Sequence, residues 1–173
     1  MTGKTRNSMA AIMTILVTVV MWMTAVIGAI VLIAGGVELV SMLSGSPISI
    51  GSIKVDDHDI TVPELVAGLT GVLVVVAAVV FVCLELRNIL GTLAEGDPFV
   101  PENAVRLTRI AIAIAVTQLA RYLIAIFMSL VVTDTRIELS VDLIAWASVA
   151  ALFILSQVFR EGTRLRDEEK MTI

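Results

Sequence analysis

Charge is scarce in this chain, and so are the residues on which most polar chemistry depends. Of 173 residues, 16% are charged and 5% are aromatic, with one histidine and one cysteine. A soluble domain carries about 25% charged residues. The lone Cys83 excludes an intrachain disulfide or a cysteine-based zinc site; it lies inside an apolar run, as a packing or lipid-facing residue does. The lone His58 excludes a multi-histidine metal centre and leaves one imidazole for any catalytic pair. No HExxH, GxSxG, P-loop or dinucleotide fingerprint is present. These absences argue against an enzyme, and no cofactor or metal is expected.

Apolar sequence takes their place. The chain is 58% hydrophobic with a mean hydropathy of +0.99, and its length allows one domain. Four apolar runs stand out, at about 9–35, 64–87, 105–132 and 141–160. A helix needs about 20 residues to cross a hydrocarbon core of about 30 Å. The first run ends at Gly35-Gly36. Lys4 and Arg6 ahead of it resemble a signal-peptide start, but that apolar region is only about 7–15 residues long, so an uncleaved anchor is expected. Pro63 and Glu64 suit the start of the second span. Val72–Val82 is rich in β-branched residues, a strand signature in water; the length of the run argues for a span, and a lipid-embedded span must satisfy its own backbone as a helix. The expected fold is an all-α integral membrane protein, a four-transmembrane-helix bundle. Small residues at four-residue spacing (Thr24 and Gly28, Ala25 and Ala29, Ala111 and Ala115) favour close helix packing within the bundle and are compatible with a homo-oligomer.

Basic residues give the orientation. Nine lie on one side of the spans: Lys4, Arg6, Arg87, Arg106, Arg109, Arg160, Arg164, Arg166 and Lys170. Two, Lys54 and Arg136, lie on the other, and Arg121 falls within a span. The positive side is expected to be cytoplasmic, with both termini there. The outer loops are then 40–62 and 133–140, the cytoplasmic loop 88–104 and the cytoplasmic tail 161–173. Alternation in Ile48–Val62, turning at Asp56–Asp59, and again in Ile137, Leu139 and Val141 predicts a small extracytoplasmic β-element. The Asp56-Asp57-His58-Asp59 cluster reads as a solvated turn rather than a cation site, because neighbouring residues in a strand-like period point apart.

Arg121 is the costliest residue to insert, at about 2.5–3.5 kcal/mol at the middle of a span. It is expected to face a neighbouring helix near Thr117 and Gln118 and to pair with Asp142 or Glu38. Beyond these, the spans offer little to line a polar path, which leaves a small transporter or channel as the alternative function.

Two segments on the positive side are distinctive. Leu86, Ile89, Leu90 and Leu93 continue the second helix outward, and Gly96 is placed to end it. Then comes Gly96-Asp97-Pro98-Phe99-Val100-Pro101-Glu102-Asn103, with Arg106-Leu107 after it and Pro101 placed to open the third helix. Arg106 and Arg109 share a face suited to lipid phosphates or an acidic partner. The tail reads Phe159-Arg160-Glu161-Gly162, Leu165-Arg166, Glu168-Glu169 and finally Thr172-Ile173. Its charges balance, and Arg164 is spaced to pair with Glu161 and Glu168 along a helix. With nine basic residues against eight acidic ones on this side, direct nucleic-acid binding is not expected.

At these two blocks the chain resembles the small bacterial membrane proteins grouped as domain of unknown function 2975. Lys170-Met171 departs from the acidic-leucine pair more usual before the final Thr-Ile. The resemblance implies no enzymatic activity and a bacterial cytoplasmic membrane location. It also implies a partner, because members are often encoded beside a short helix-turn-helix regulator. The expected contact surface is Asp97, Pro98, Phe99, Pro101, Asn103 and Arg106 from the first block, with Phe159, Glu161, Gly162, Leu165, Glu168, Thr172 and Ile173 from the second.

Overall fold

The computed structural model describes residues 2–45, 60–96, 98–131 and 141–171, with side chains from Met9 to Glu168. They form four helices: α1 (Thr2–Ser44), α2 (Val62–Glu95), α3 (Pro101–Val131) and α4 (Leu143–Met171). Each is long and apolar enough to cross a membrane, with windows of mean hydropathy 2.6, 2.9, 2.0 and 1.7 in chain order. Large apolar side chains point outward along all four; Leu130, Leu143 and Ile144 are each more than three-quarters exposed. A protein surrounded by water does not expose apolar surface on this scale, whereas lipid covers it without cost.

The termini follow local chemistry. Glu64 reaches back to the Thr61 N–H at 2.7 Å and to its hydroxyl at 2.8 Å, fixing the start of α2. Gly96 ends α2 at φ 91°, a left-handed conformation that glycine adopts without a Cβ penalty, and its N–H donates to the carbonyls of Leu93 and Thr92. Asp142 caps α4, its Oδ1 accepting from the Ala145 N–H at 3.0 Å.

The helices pack in chain order: α1 on α2, α2 on α3, α3 on α4. Among the described residues, the backbone of α1 does not come close to α3 or α4, nor that of α2 to α4. The four helices expected are all present, and among the described residues they are arranged as an open row. No buried face compels closure, because in lipid an exposed apolar side chain carries no penalty. Gly28 and Gly35 of α1 lie directly against Val76 and Leu69 of α2, where any added Cβ would overlap the facing side chain. The small residues therefore serve packing within the chain at Gly28, and the fully buried Ala111 does so on α3.

Two boundaries shift. Helix α1 runs through Gly35-Gly36 to Ser44, past the end expected for the first span. Ile60 and Val62 do not continue a hairpin: Ile60 is irregular, and Val62 is the first residue of α2. Val141 is likewise irregular. The rest of the expected β-element, and the Asp56–Asp59 turn, lie outside the described residues, and no strand occurs among those described.

Candidate functional site

The two distinctive blocks meet at one end of the row. Helix α2 carries the chain past its apolar run, Gly96 turns it, and Pro101 starts α3 beside the far end of α4. The Phe99 ring lies 5.5 Å from that of Phe159, tilted by 37°. Gly162, one turn along α4, faces the same ring; a Cβ there would sit 2.9–3.0 Å from its edge. The Thr163 hydroxyl lies 3.1 Å from the carbonyl of Phe99 and 2.9 Å from that of Phe159, tying loop to helix.

A second contact holds the loop from the α2 side. Asn103 is 1% exposed. Its Nδ2 donates to the Thr92 hydroxyl at 2.7 Å and to the Pro98 carbonyl at 3.0 Å. Its Oδ1 accepts from Arg106 at 2.9 Å, and the same guanidinium nitrogen reaches the Asn88 carbonyl at 3.1 Å. Asparagine offers two donors and an acceptor in one plane, and all three serve here. One helical turn deeper, the buried carboxylate of Glu85 accepts from Arg109 at 3.3 Å. The cation is half-exposed, so this pair sits at the edge of the span, where one partner still meets polar surroundings.

These contacts sort the expected partner-surface residues into two groups. Asn103 and Gly162 face inward, and Arg106 is committed on one side to Asn88 and Asn103. Phe99, 41% exposed, and Phe159 are shared between the joint and the surface. Pro101, Glu161, Leu165 and Glu168 are exposed, and Pro98 is half-buried. Arg164 is held by Glu161 at 2.6 Å and Glu168 at 3.9 Å, the pairs that the helical spacing implies. Asp97, Thr172 and Ile173 lie outside the described residues. Thr163, Thr92 and Asn88 had no sequence signal of their own; Thr163 lies four residues after Phe159, but nothing in the chain near Thr92 or Asn88 marks Asn103 as their partner.

The intramembrane cluster joins the second half of α3 to the start of α4. Arg121 donates to Gln118 Oε1 at 3.0 Å and stands 3.9 Å from Asp142. Glu38 is not its partner: it belongs to α1, which does not reach α3 or α4. Gln118 is buried, while Arg121 and Asp142 are each about half-exposed. Trp146 Nε1 donates to the Tyr122 hydroxyl at 3.3 Å alongside. Tryptophan and tyrosine with polar tips belong at a membrane boundary, and the α4 apolar stretch starts just there.

These features define a multi-pass membrane protein with polar contacts on α3 around Asn103–Arg109 and around Gln118–Arg121. Residues 48–173 match the family described as "Protein of unknown function (DUF2975)", and the chain belongs to that family. Searches of curated proteins and of solved structures each returned no match.

Proposed function

We propose that this chain is a non-catalytic regulatory protein of a bacterial cytoplasmic membrane, with both termini inside, that presents its positive end to a small helix-turn-helix transcription regulator. The observation that carries the reading is the joint between Phe99 and Phe159. It gathers the two blocks that distinguish the chain onto one end of the row, and it leaves Glu161, Leu165, Glu168 and part of Phe99 exposed. A surface of alternating charge with apolar centres suits a protein partner better than nucleic acid. The nine-to-two distribution of basic residues supports placing this end in the cytoplasm. The partner class comes from the family resemblance.

The test is affinity purification of the full chain from native membranes in mild detergent. Recovery of a helix-turn-helix protein, lost on Leu165→Asp, supports the reading, and recovery of none counts against it. Among the described residues, the polar side-chain contacts of α3 gather around Asn103–Arg109 and around Gln118–Arg121, an arrangement that favours this reading over transport.

A further inference from the structure

An open cleft of about 390 Å³ separates the start of α3 from the outer part of α4. Its floor is Ala104 and Val105; its α4 wall carries Arg160, Thr163, Arg164 and Asp167. Arg164 is engaged by Glu161 and Glu168, and the Thr163 hydroxyl by Phe99 and Phe159. Arg160 and Asp167 are exposed, and neither has an ion-pair partner among the described residues. The cleft thus presents one cation and one anion, seven residues apart on a single face of α4.

Its depth identifies the surroundings. The apolar run of α4 ends at Phe159, so Arg160 stands where the hydrocarbon gives way to lipid phosphates, and Asp167 lies about 10 Å further out along the helix. The apolar floor also continues into the membrane. Val105 and then, beyond Arg109, which is paired with Glu85, Ile112, Val116, Leu119 and Leu123 recur at helical spacing along one exposed face of α3 that begins in the cleft.

We propose that this cleft binds a phospholipid with a primary-ammonium headgroup, of the phosphatidylethanolamine type. Arg160 takes the phosphate, Asp167 takes the ammonium, and an acyl chain lies along the α3 stripe. Two charge-assisted hydrogen bonds of about 2.8 Å each, joined by a phosphate and a two-carbon spacer, cover roughly the 10 Å between the two residues. A purely anionic lipid leaves Asp167 facing like charge. A trimethylammonium headgroup has no N–H to donate. The assignment rests on the cleft alone and is independent of the regulator reading.

Native mass spectrometry of the delipidated full chain tests it, with phosphatidylethanolamine, phosphatidylcholine and phosphatidylglycerol of identical acyl chains at equal concentration. The ethanolamine lipid is expected to be retained about fivefold over either competitor, as one solvent-exposed charge pair gives. Asp167→Asn should bring the ethanolamine and choline lipids level, and Arg160→Gln should lower retention of both ethanolamine and glycerol lipids. Both positions are exposed, and an unchanged helical circular dichroism signal confirms that each variant is folded; the three-lipid comparison on the unaltered chain needs no variant. Equal retention of the three lipids overturns the proposal. So does a lead for the glycerol lipid, which would mean that the cleft reads negative charge alone. Displacement of the lipid by an equal concentration of free phosphoethanolamine overturns it in favour of a soluble ligand.

Discussion

The ring of Phe99 rests against Gly162, at a spacing that leaves no room for a Cβ. Phe99 lies in the loop between α2 and α3, Gly162 on α4 beyond its apolar run. This contact, with Phe159 beneath it, is where the two distinctive blocks become one structure.

A bulky residue at position 162 should therefore displace the ring. Gly162→Leu is expected to destabilise the chain by about 1–3 kcal/mol, the usual cost of overpacking. Phe99→Ala removes the obstacle, so the double variant should lose less than the two single losses added together. Thermal unfolding of the four proteins in detergent, followed by circular dichroism, reads the coupling; strictly additive losses would show that ring and glycine do not meet.

Asn103 should tolerate very little. Asn103→Ala abandons the Pro98 carbonyl and the Thr92 hydroxyl in a buried place, at a cost of about 1–3 kcal/mol. Asn103→Asp keeps the shape and the acceptor for Arg106 but turns an oxygen toward the Pro98 carbonyl. It should be no better than alanine in the same unfolding measurement. An aspartate variant as stable as the parent would mean that the amide donors contribute nothing.

Arg109 and Glu85 should behave asymmetrically. Arg109→Gln leaves a buried carboxylate without its cation, and a loss of about 1.5–3 kcal/mol is expected, as for a hydrogen bond to a charged group. Glu85→Gln strands only a half-exposed guanidinium and should cost less. Introduced into the Arg109→Gln background, it should restore part of the stability. If the second substitution adds its full cost instead, Glu85 does not depend on Arg109.

Asp142 holds two roles that two substitutions separate. Asp142→Asn retains an oxygen for the Ala145 N–H and loses only an ion pair of half-exposed groups at 3.9 Å, so it should cost about 0–1 kcal/mol. Asp142→Ala also loses the cap and should cost about 1 kcal/mol more. Equal losses for the two would place the whole effect in the Arg121 pair.

Topology is open to direct labelling. In a Cys83→Ser background, a membrane-impermeant maleimide should label Ile60→Cys in intact cells and Glu95→Cys only after permeabilisation. The reverse pattern would turn the protein over in the membrane and move the Phe99–Phe159 joint outside.

Much of this protein was determined by sequence alone. Four apolar runs of sufficient length dictate four helices, because a backbone in lipid has no other way to satisfy its polar groups within one segment. The ends of those helices are written locally, in Gly96, Pro101 and Asp142, since caps depend on residues only a few positions apart. The Arg164 pairs with Glu161 and Glu168 were legible for the same reason: helical spacing brings them together.

Tertiary structure decided what distance along the chain conceals. Hydropathy says that a face is apolar but not whether lipid or a helix covers it, since both are apolar partners; the open row, with α1 on α2 alone, follows from shape complementarity at Gly28 and Gly35. Only packing chose Asp142 over Glu38 for Arg121. Only packing also turned Asn103 and Gly162 inward while leaving Glu161, Leu165 and Glu168 outside. Such choices rest on contacts between residues far apart in sequence, and no local pattern of spacing or composition encodes them.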